Sequence, residues 1–238
     1  MKGLNFSALF LSACMLLSSC GMNNTGKGAL IGAGSGAALG SLIGGLAGKG
    51  KGAAIGAAVG TAVGAGTGTI IGKRMDKAKA AAQQVENAQV ETVTDNNGLE
   101  AVKVTFDSGI LFNTGSSALS SAATASLAKF ASTVLNTNRD MDVAIMGYTD
   151  NQGWKNSTAA ESAQKNITLS QQRASAVSNY LTQCGVQAAQ ITSVQGLGEA
   201  NPVADNSTAA GQAQNRRVEV YLYASKAMIE AAQSQAGN

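Results

Sequence analysis

Val143-Ala144-Ile145-Met146-Gly147-Tyr148-Thr149-Asp150, an apolar run that ends on a carboxylate, decides how the second half of this chain folds. A short apolar run of this length, with turn formers after it, reads as a buried strand. Before it, Leu119, Ala123, Leu127, Phe130, Ala131 and Val134 recur at helical spacing. After it, Leu169 to Leu181 predicts a second helix that stops at Gly185. A short strand surrounds Val194, and Val218, Val220 and Leu222 alternate in a last one. Upstream, Val90, Thr92 and Thr94 alternate as far as Asp95-Asn96-Asn97-Gly98, and alternation resumes at Val102, Val104 and Phe106. Asn-Gly between two alternating runs predicts a hairpin. The expected domain therefore runs from 89 to 225, with 73–88 as a helical linker before it and 226–238 as a tail. Its strand, helix, strand, helix, strand, strand order (βαβαββ) predicts a two-layer α/β (α+β) sandwich around one core.

Composition sets the first half of the chain apart. Residues 26–72 hold 17 of the 29 glycines in 238 residues, and the remainder has an ordinary share. One proline in the whole chain excludes collagen, and the regular domain pattern excludes disorder throughout. Charge divides along the same line. Residues 26–79 carry seven basic side chains against Asp76, or +6, and residues 80–238 carry nine basic against thirteen acidic, or −4. No aromatic residue lies between Phe10 and Phe106, so the basic part lacks the stacking platforms of a nucleic-acid surface. No nucleic-acid partner is expected.

Met1 to Cys20 reads as an export signal: Lys2, an apolar stretch from Leu4 to Leu17, then Leu17-Ser18-Ser19-Cys20. That ending resembles the bacterial lipobox, in which cleavage before the cysteine (here removing 1–19) leaves a diacylated Cys20. The competing reading is an ordinary signal peptide with a chance cysteine. Cleavage also removes Cys14, and lipidation uses Cys20, so Cys184 alone remains a thiol and no internal disulfide is expected. Several acyl chains, palmitate among them, make a durable anchor. Residues 20–25 form the lipidated N-terminus.

Glycine occupies 28, 32, 36, 40, 44, 48, 52, 56, 60, 64, 68 and 72, a strict period of four over twelve positions. Gly26-Lys27-Gly28-Ala29-Leu30-Ile31-Gly32 recurs as Gly50-Lys51-Gly52-Ala53-Ala54-Ile55-Gly56, and two uncharged stretches of 21 residues lie between Lys27 and Lys49 and between Lys51 and Lys73. At ~1.5 Å per residue each helix would be about 31 Å long, the thickness of a bilayer core. Interior glycine is poor in a helix in water, but it lets two helix backbones approach closely in a membrane. The segment 26–72 therefore reads as a helical hairpin packed glycine face to glycine face, against the alternative of a flexible linker. It resembles the glycine-zipper regions of bacterial outer-membrane lipoproteins.

Four ordered blocks carry a second resemblance: Gly147-Tyr148-Thr149-Asp150, Asn166-Ile167-Thr168-Leu169-Ser170-Gln171-Gln172-Arg173-Ala174, Gly196-Leu197-Gly198-Glu199 and Asn215-Arg216-Arg217-Val218-Glu219. They resemble the signature of the OmpA C-terminal peptidoglycan-binding domain over roughly residues 99 to 223. That resemblance implies non-covalent binding of the diaminopimelate side chain of the peptidoglycan stem peptide. It also implies roles: Asp150 for the ligand ammonium, Arg173 for its carboxylate, and backbone groups around Phe112, Asn113 and Thr114 completing the pocket. Asn166, Asn215 and Arg216 are expected to brace the site, and Trp154 to lie in an exposed loop. The stretch between Asp150 and Asn166 is about eight residues longer than the family pattern, and Gln212 stands where arginine is frequent.

The expected function is a tether, with lipid and zipper holding the outer membrane and the globular domain reaching peptidoglycan in the periplasm. The alternative is a zipper-mediated oligomer or pore, with self-association primary and wall binding secondary. No catalysis, metal or cofactor is expected, because there is no histidine and no carboxylate cluster with ligand spacing. A paired-carboxylate glycosidase would have to use Asp150 with Glu161, and nothing in the sequence positions them.

Overall fold

The computed structural model describes residues 65–94 and 100–237. The signal segment, Cys20, the zipper through residue 64 and the Asn97-Gly98 turn lie outside the described residues. The chain runs from helix α1 (Ala65–Ala82) to strands β1 (Ala88–Thr94) and β2 (Glu100–Asp107), then a single helical turn α2 (Ser108–Leu111). Helix α3 (Ser121–Phe130) continues as a π-helical turn over Ala131–Leu135, and β3 (Met141–Gly147) follows. Next come α4 (Ala159–Gln183), β4 (Ile191–Gly196), α5 (Ala209–Asn215), β5 (Arg217–Ala224) and α6 (Lys226–Ala236).

The five strands form one sheet in the order β1-β2-β5-β3-β4. β3 and β4 are parallel, as a helical crossover through α4 requires, and the other pairs are antiparallel. Alternation sorts the side chains. Val102, Val104, Phe106, Val143, Ile145, Val218, Val220 and Leu222 join the main core with the helices, where Phe106 meets Phe130 edge to face at 5.7 Å. Ala144, Met146, Tyr148, Tyr221 and Tyr223 form a second cluster with Val93 and Ala101. β5 lies in the middle of the sheet and is buried along its whole length.

The hairpin pairs Ala88 with Phe106 through Thr94 with Glu100, which sets Val90 opposite Val104 and Thr92 opposite Val102. α3 buries Ala123, Leu127 and Phe130, but it starts later than the apolar spacing suggests. Ser120 caps it, its Oγ accepting from Ala123 N–H at 3.0 Å, and Leu119 instead forms an isolated bridge with Phe112. α4 starts ten residues before Leu169, because Thr158 and Glu161 close a capping box there. The extra length between Asp150 and Asn166 is thus partly nearly two turns of helix and partly the loop 151–158.

The stretches read as linker and tail belong to the folded core. Ile71, Met75, Ala78 and Ala82 recur on one face of α1 and are buried, together with Met228, Ile229 and Ala232 of α6. Arg74 pairs with Asp140 through both carboxylate oxygens, Nη2 to Oδ1 at 2.7 Å. Lys73 and Lys77 stay exposed. Among the described residues, no helix is long and apolar enough to cross a membrane.

Candidate ligand-binding cleft

Two glycines set the position of α4, and with it the site. Gly147 and Gly196 are register partners at the ends of β3 and β4. A Cβ on Gly147 would stand 2.3 Å from the Ser170 carbonyl oxygen, and one on Gly196 only 2.1 Å from the Gln171 nitrogen. Only glycine permits that approach. Side chains of the same helix turn then clip α4 to the strand. Gln171 Oε1 accepts from Gly196 N–H at 2.7 Å, its Nε2 donates to the Val194 carbonyl at 3.3 Å, and Ser170 Oγ accepts from Gly198 N–H at 2.9 Å. One turn on, Arg173 is brought to the C-terminal end of β3, where Asp150 emerges.

Asp150, Arg173 and Arg216 line one cleft of about 520 Å³. Asp150 Oδ1 accepts from Gln152 N–H at 3.1 Å, and Oδ2 accepts from Arg216 Nη1 at 2.5 Å. Arg173 is 4% exposed; its Nε donates to the Ser116 carbonyl at 3.0 Å, and its guanidinium lies 5.2 Å from the centre of the Phe112 ring. Among the described residues no carboxylate stands in ion-pair contact with it. Burial pushes the Arg173 guanidinium below its ordinary pKa, the neighbouring Arg216 pushes in the same direction, and Asp150 partly offsets both. The cleft therefore holds two guanidiniums that repel each other and one carboxylate shared toward Arg216. An anion bridging the two arginines would relieve that repulsion. Ser108 Oγ and Thr149 Oγ1, on residues lining the same cleft, are buried without a hydrogen-bond partner.

Thr114 and Phe112 line the cleft, and the Phe112 backbone N–H donates to the Ser108 carbonyl at 2.8 Å. Asn113 does not line the cleft, and its carbonyl accepts from Ser116 N–H at 3.0 Å. Asn166 and Asn215 brace loops. Asn215 Oδ1 accepts from Val203 and Ala204 N–H at 2.7 and 3.0 Å, and Asn166 Nδ2 donates to the Gln152 carbonyl at 3.3 Å. Arg216 does more than brace, because it touches Asp150 directly.

Trp154 lies in an exposed loop, as expected, and that loop also walls the cleft. Its side chain forms part of the cleft wall, its indole Nε1 donating to Asn166 Oδ1 at 2.8 Å and its backbone N–H to Ser162 Oγ at 2.9 Å. The hint was present in the lengthened loop beside the pocket. Glu161, by contrast, spends its carboxylate on the capping box, accepting from Thr158 N–H at 2.7 Å, and does not line the cleft. That backbone hydrogen bond holds its carboxyl below the ordinary value. Gln212 does line the cleft, its Nε2 donating to the Asn206 carbonyl at 2.8 Å.

Beneath the site lies a buried ionic network that the sequence did not announce. Arg217 stacks 3.8 Å from the Tyr148 ring centre and donates to Glu219 Oε1 at 2.7 Å, while Tyr221 OH donates to Glu219 Oε2 at 2.5 Å. Burial alone would raise the Glu219 carboxyl, but Arg217 and then Lys103 hold it below its ordinary value. The network fixes the start of β5, next to Arg216, and the strand end that precedes Asp150.

A mixed sheet backed by helices, with a carboxylate at the end of β3 facing two arginines from α4 and the start of β5, defines a polar ligand-binding domain of the OmpA type. The OmpA family model matches residues 111–216, and the YMGG-like Gly-zipper model matches residues 1–76. The chain is 38% identical over 215 residues to the protein named "Probable lipoprotein YiaD" of Escherichia coli (strain K12), covering 90% of this chain and 92% of that one. It is 47% identical over 83 residues to the peptidoglycan-binding protein ArfA of Mycobacterium tuberculosis (strain ATCC 25618 / H37Rv), covering 35% of this chain and 23% of that one. Among solved structures, a MotB-like protein from Desulfovibrio vulgaris aligns with a TM-score of 0.55 at 25% identity, covering 67% of this chain and 94% of that one. The chain belongs to the OmpA family, and its N-terminal part is a glycine zipper.

Proposed function

We propose that this chain is an outer-membrane lipoprotein that binds peptidoglycan non-covalently, acting as a tether and not as a catalyst. The ligand is the zwitterionic end of diaminopimelate in the stem peptide. Its ammonium joins Asp150, and its carboxylate bridges Arg173 and Arg216. The observation that carries this reading is Arg173, a buried guanidinium with no carboxylate partner in the described residues, facing a second arginine across a cleft. A charge-assisted contact of this kind contributes about 1.5 to 3 kcal/mol, and the planar fork of arginine selects a carboxylate over a single acceptor atom. The relatives named as a lipoprotein and as a peptidoglycan-binding protein support the same reading. In it, Cys20 carries the acyl chains, the zipper stays with the outer membrane and the C-terminal domain faces the periplasm.

The test is co-sedimentation of the full chain, in mild detergent, with purified sacculi. The parent is expected to sediment with the wall, and the chain carrying Asp150→Ala with Arg173→Ala to stay in the supernatant while keeping its circular dichroism. If the folded double variant sediments as well as the parent, the assignment of the cleft is wrong.

A further inference from the structure

The charge of the cleft exceeds what a zwitterion needs. Lys155, Arg173 and Arg216 line it against Asp150 alone, so three positive charges face one negative and the lining carries +2. A ligand end with one ammonium and one carboxylate has no net charge and leaves that excess in place. The cleft, at about 520 Å³, also has room for more than one residue of a peptide. Its wall at Trp154 is built and not loose. The indole is tied to Asn166 through Nε1, its backbone is tied to Ser162, and Lys165 Nζ stands 6.0 Å from the ring centre. Trp154 is nevertheless 36% exposed, so a flat apolar surface is held in the same cleft lining as Lys155. These two residues lie in the loop 151–158, which the lengthened stretch before Asn166 contributes.

We infer that Trp154 and Lys155 form a second subsite that reads a carboxylate on the stem residue next to diaminopimelate. This rests on the diaminopimelate reading above. In the stem that neighbour is a D-glutamate joined through its side-chain carboxyl, so its α-carboxylate is free unless amidated. The α-carboxylate sits on the Lys155 ammonium, and the two methylenes lie along the indole. The chain thereby discriminates between stems that carry the free acid and stems that carry the amide at that position, a choice in which Asp150 and Arg173 take no part.

Trp154 is the one tryptophan in the chain, so its fluorescence reads this subsite directly. The full chain in detergent would be titrated with the tripeptide L-alanyl-γ-D-glutamyl-diaminopimelate and with the same tripeptide amidated at the glutamate α-carboxyl. Calorimetry would run beside the fluorescence. The parent is expected to bind the acid about fivefold more tightly than the amide, the size of a well-placed exposed ion pair. Lys155→Gln is expected to bind both peptides alike, at the affinity the parent has for the amide. Equal binding of acid and amide by the parent overturns the subsite, as does discrimination that persists in Lys155→Gln. If both peptides bind equally and Asp150→Ala with Arg173→Ala binds neither, only the second subsite falls. If the parent binds neither peptide, the diaminopimelate reading falls and takes this inference with it.

Discussion

Arg173 has both a charge and a shape to contribute, and the two can be separated. Arg173→Lys keeps the cation but removes the fork and the flat contact with Phe112, so affinity for sacculi should fall about tenfold while the fold stays intact, read by co-sedimentation and by a thermal melt. Two carboxylates, Glu219 in the network beneath it and Asp142 near the other end of β3, make predictions of opposite sign. Glu219 has a folded pKa below its ordinary value near 4.5, so it binds a proton less readily folded than unfolded. Its contribution is present above that ordinary value and is lost as pH falls through the folded one. Glu219→Gln leaves Arg217 and Lys103 without their shared carboxylate and should cost about 3 kcal/mol at pH 7 in chemical denaturation. Asp142 behaves the other way, because burial pushes its carboxyl from 3.8 up to about 6. The folded state holds that proton more tightly, so the ionised Asp142 destabilises the fold at pH 7 and ceases to do so below about pH 4. After allowance for its partial exposure, Asp142→Asn should stabilise by on the order of 1 kcal/mol at neutral pH and by nothing at pH 4, measured as the difference in denaturation midpoint.

Among the elements, α4 joins fold to function. It carries Asn166, Arg173 and the capping box, and it rests on two strand glycines. Gly196→Ala would place a methyl carbon 2.1 Å from the Gln171 nitrogen, a backbone atom that cannot swing away. The helix must then lift from β4, at a cost of about 3 kcal/mol, with Arg173 shifted from the cleft. The expected result is a lowered thermal midpoint and weaker sacculus binding in the same variant. A change at the other end should be milder. Thr158→Ala opens the capping box at about 1 kcal/mol and loosens the loop that holds Trp154, which tryptophan fluorescence would record as a red shift. Thr158 and Glu161 encode the start of α4 at Ala159, whereas the apolar spacing is regular only from Leu169 onward. The first turns are mostly polar and mostly exposed, so they carry little periodic signal.

At the scale of the whole molecule, α1 and α6 alter what the domain is. They bury Ile71, Met75, Met228 and Ile229 against the sheet, and Arg74 fastens α1 to Asp140. A chain that begins at residue 88 exposes the surface under Ile71 and Met75 and should lose about 4 kcal/mol relative to one that begins at residue 65. A pair of thermal melts would decide this, and equal midpoints would mean that α1 adds nothing to the domain. The consequence for a tether is mechanical. The last glycines of the period-four series, Gly68 and Gly72, already belong to α1, so the zipper runs into a helix that is fixed to the ligand-binding domain, with no free spacer after residue 65.

The sequence by itself determined the family and the sheet. The four blocks carry Asp150 and Arg173 as expected ligand contacts and Arg216 as an expected brace, and the alternation in β2, β3 and β5 follows directly from one face meeting helices and the other meeting aromatic rings. Local chemistry is enough for these, because period, turn residues and caps act within a few positions of each other. Tertiary structure alone decided which charges meet. Arg216 and Asp150 are 66 positions apart, as are Arg74 and Asp140, and no spacing rule connects them. It also decided that Trp154 turns into the cleft while Asn113 stays out of it, and that a supposed linker and tail are core helices. Those outcomes depend on what packs across the sheet, and burial is a property of the assembled chain that a weakly amphipathic helix such as α1 does not reveal in its own residues.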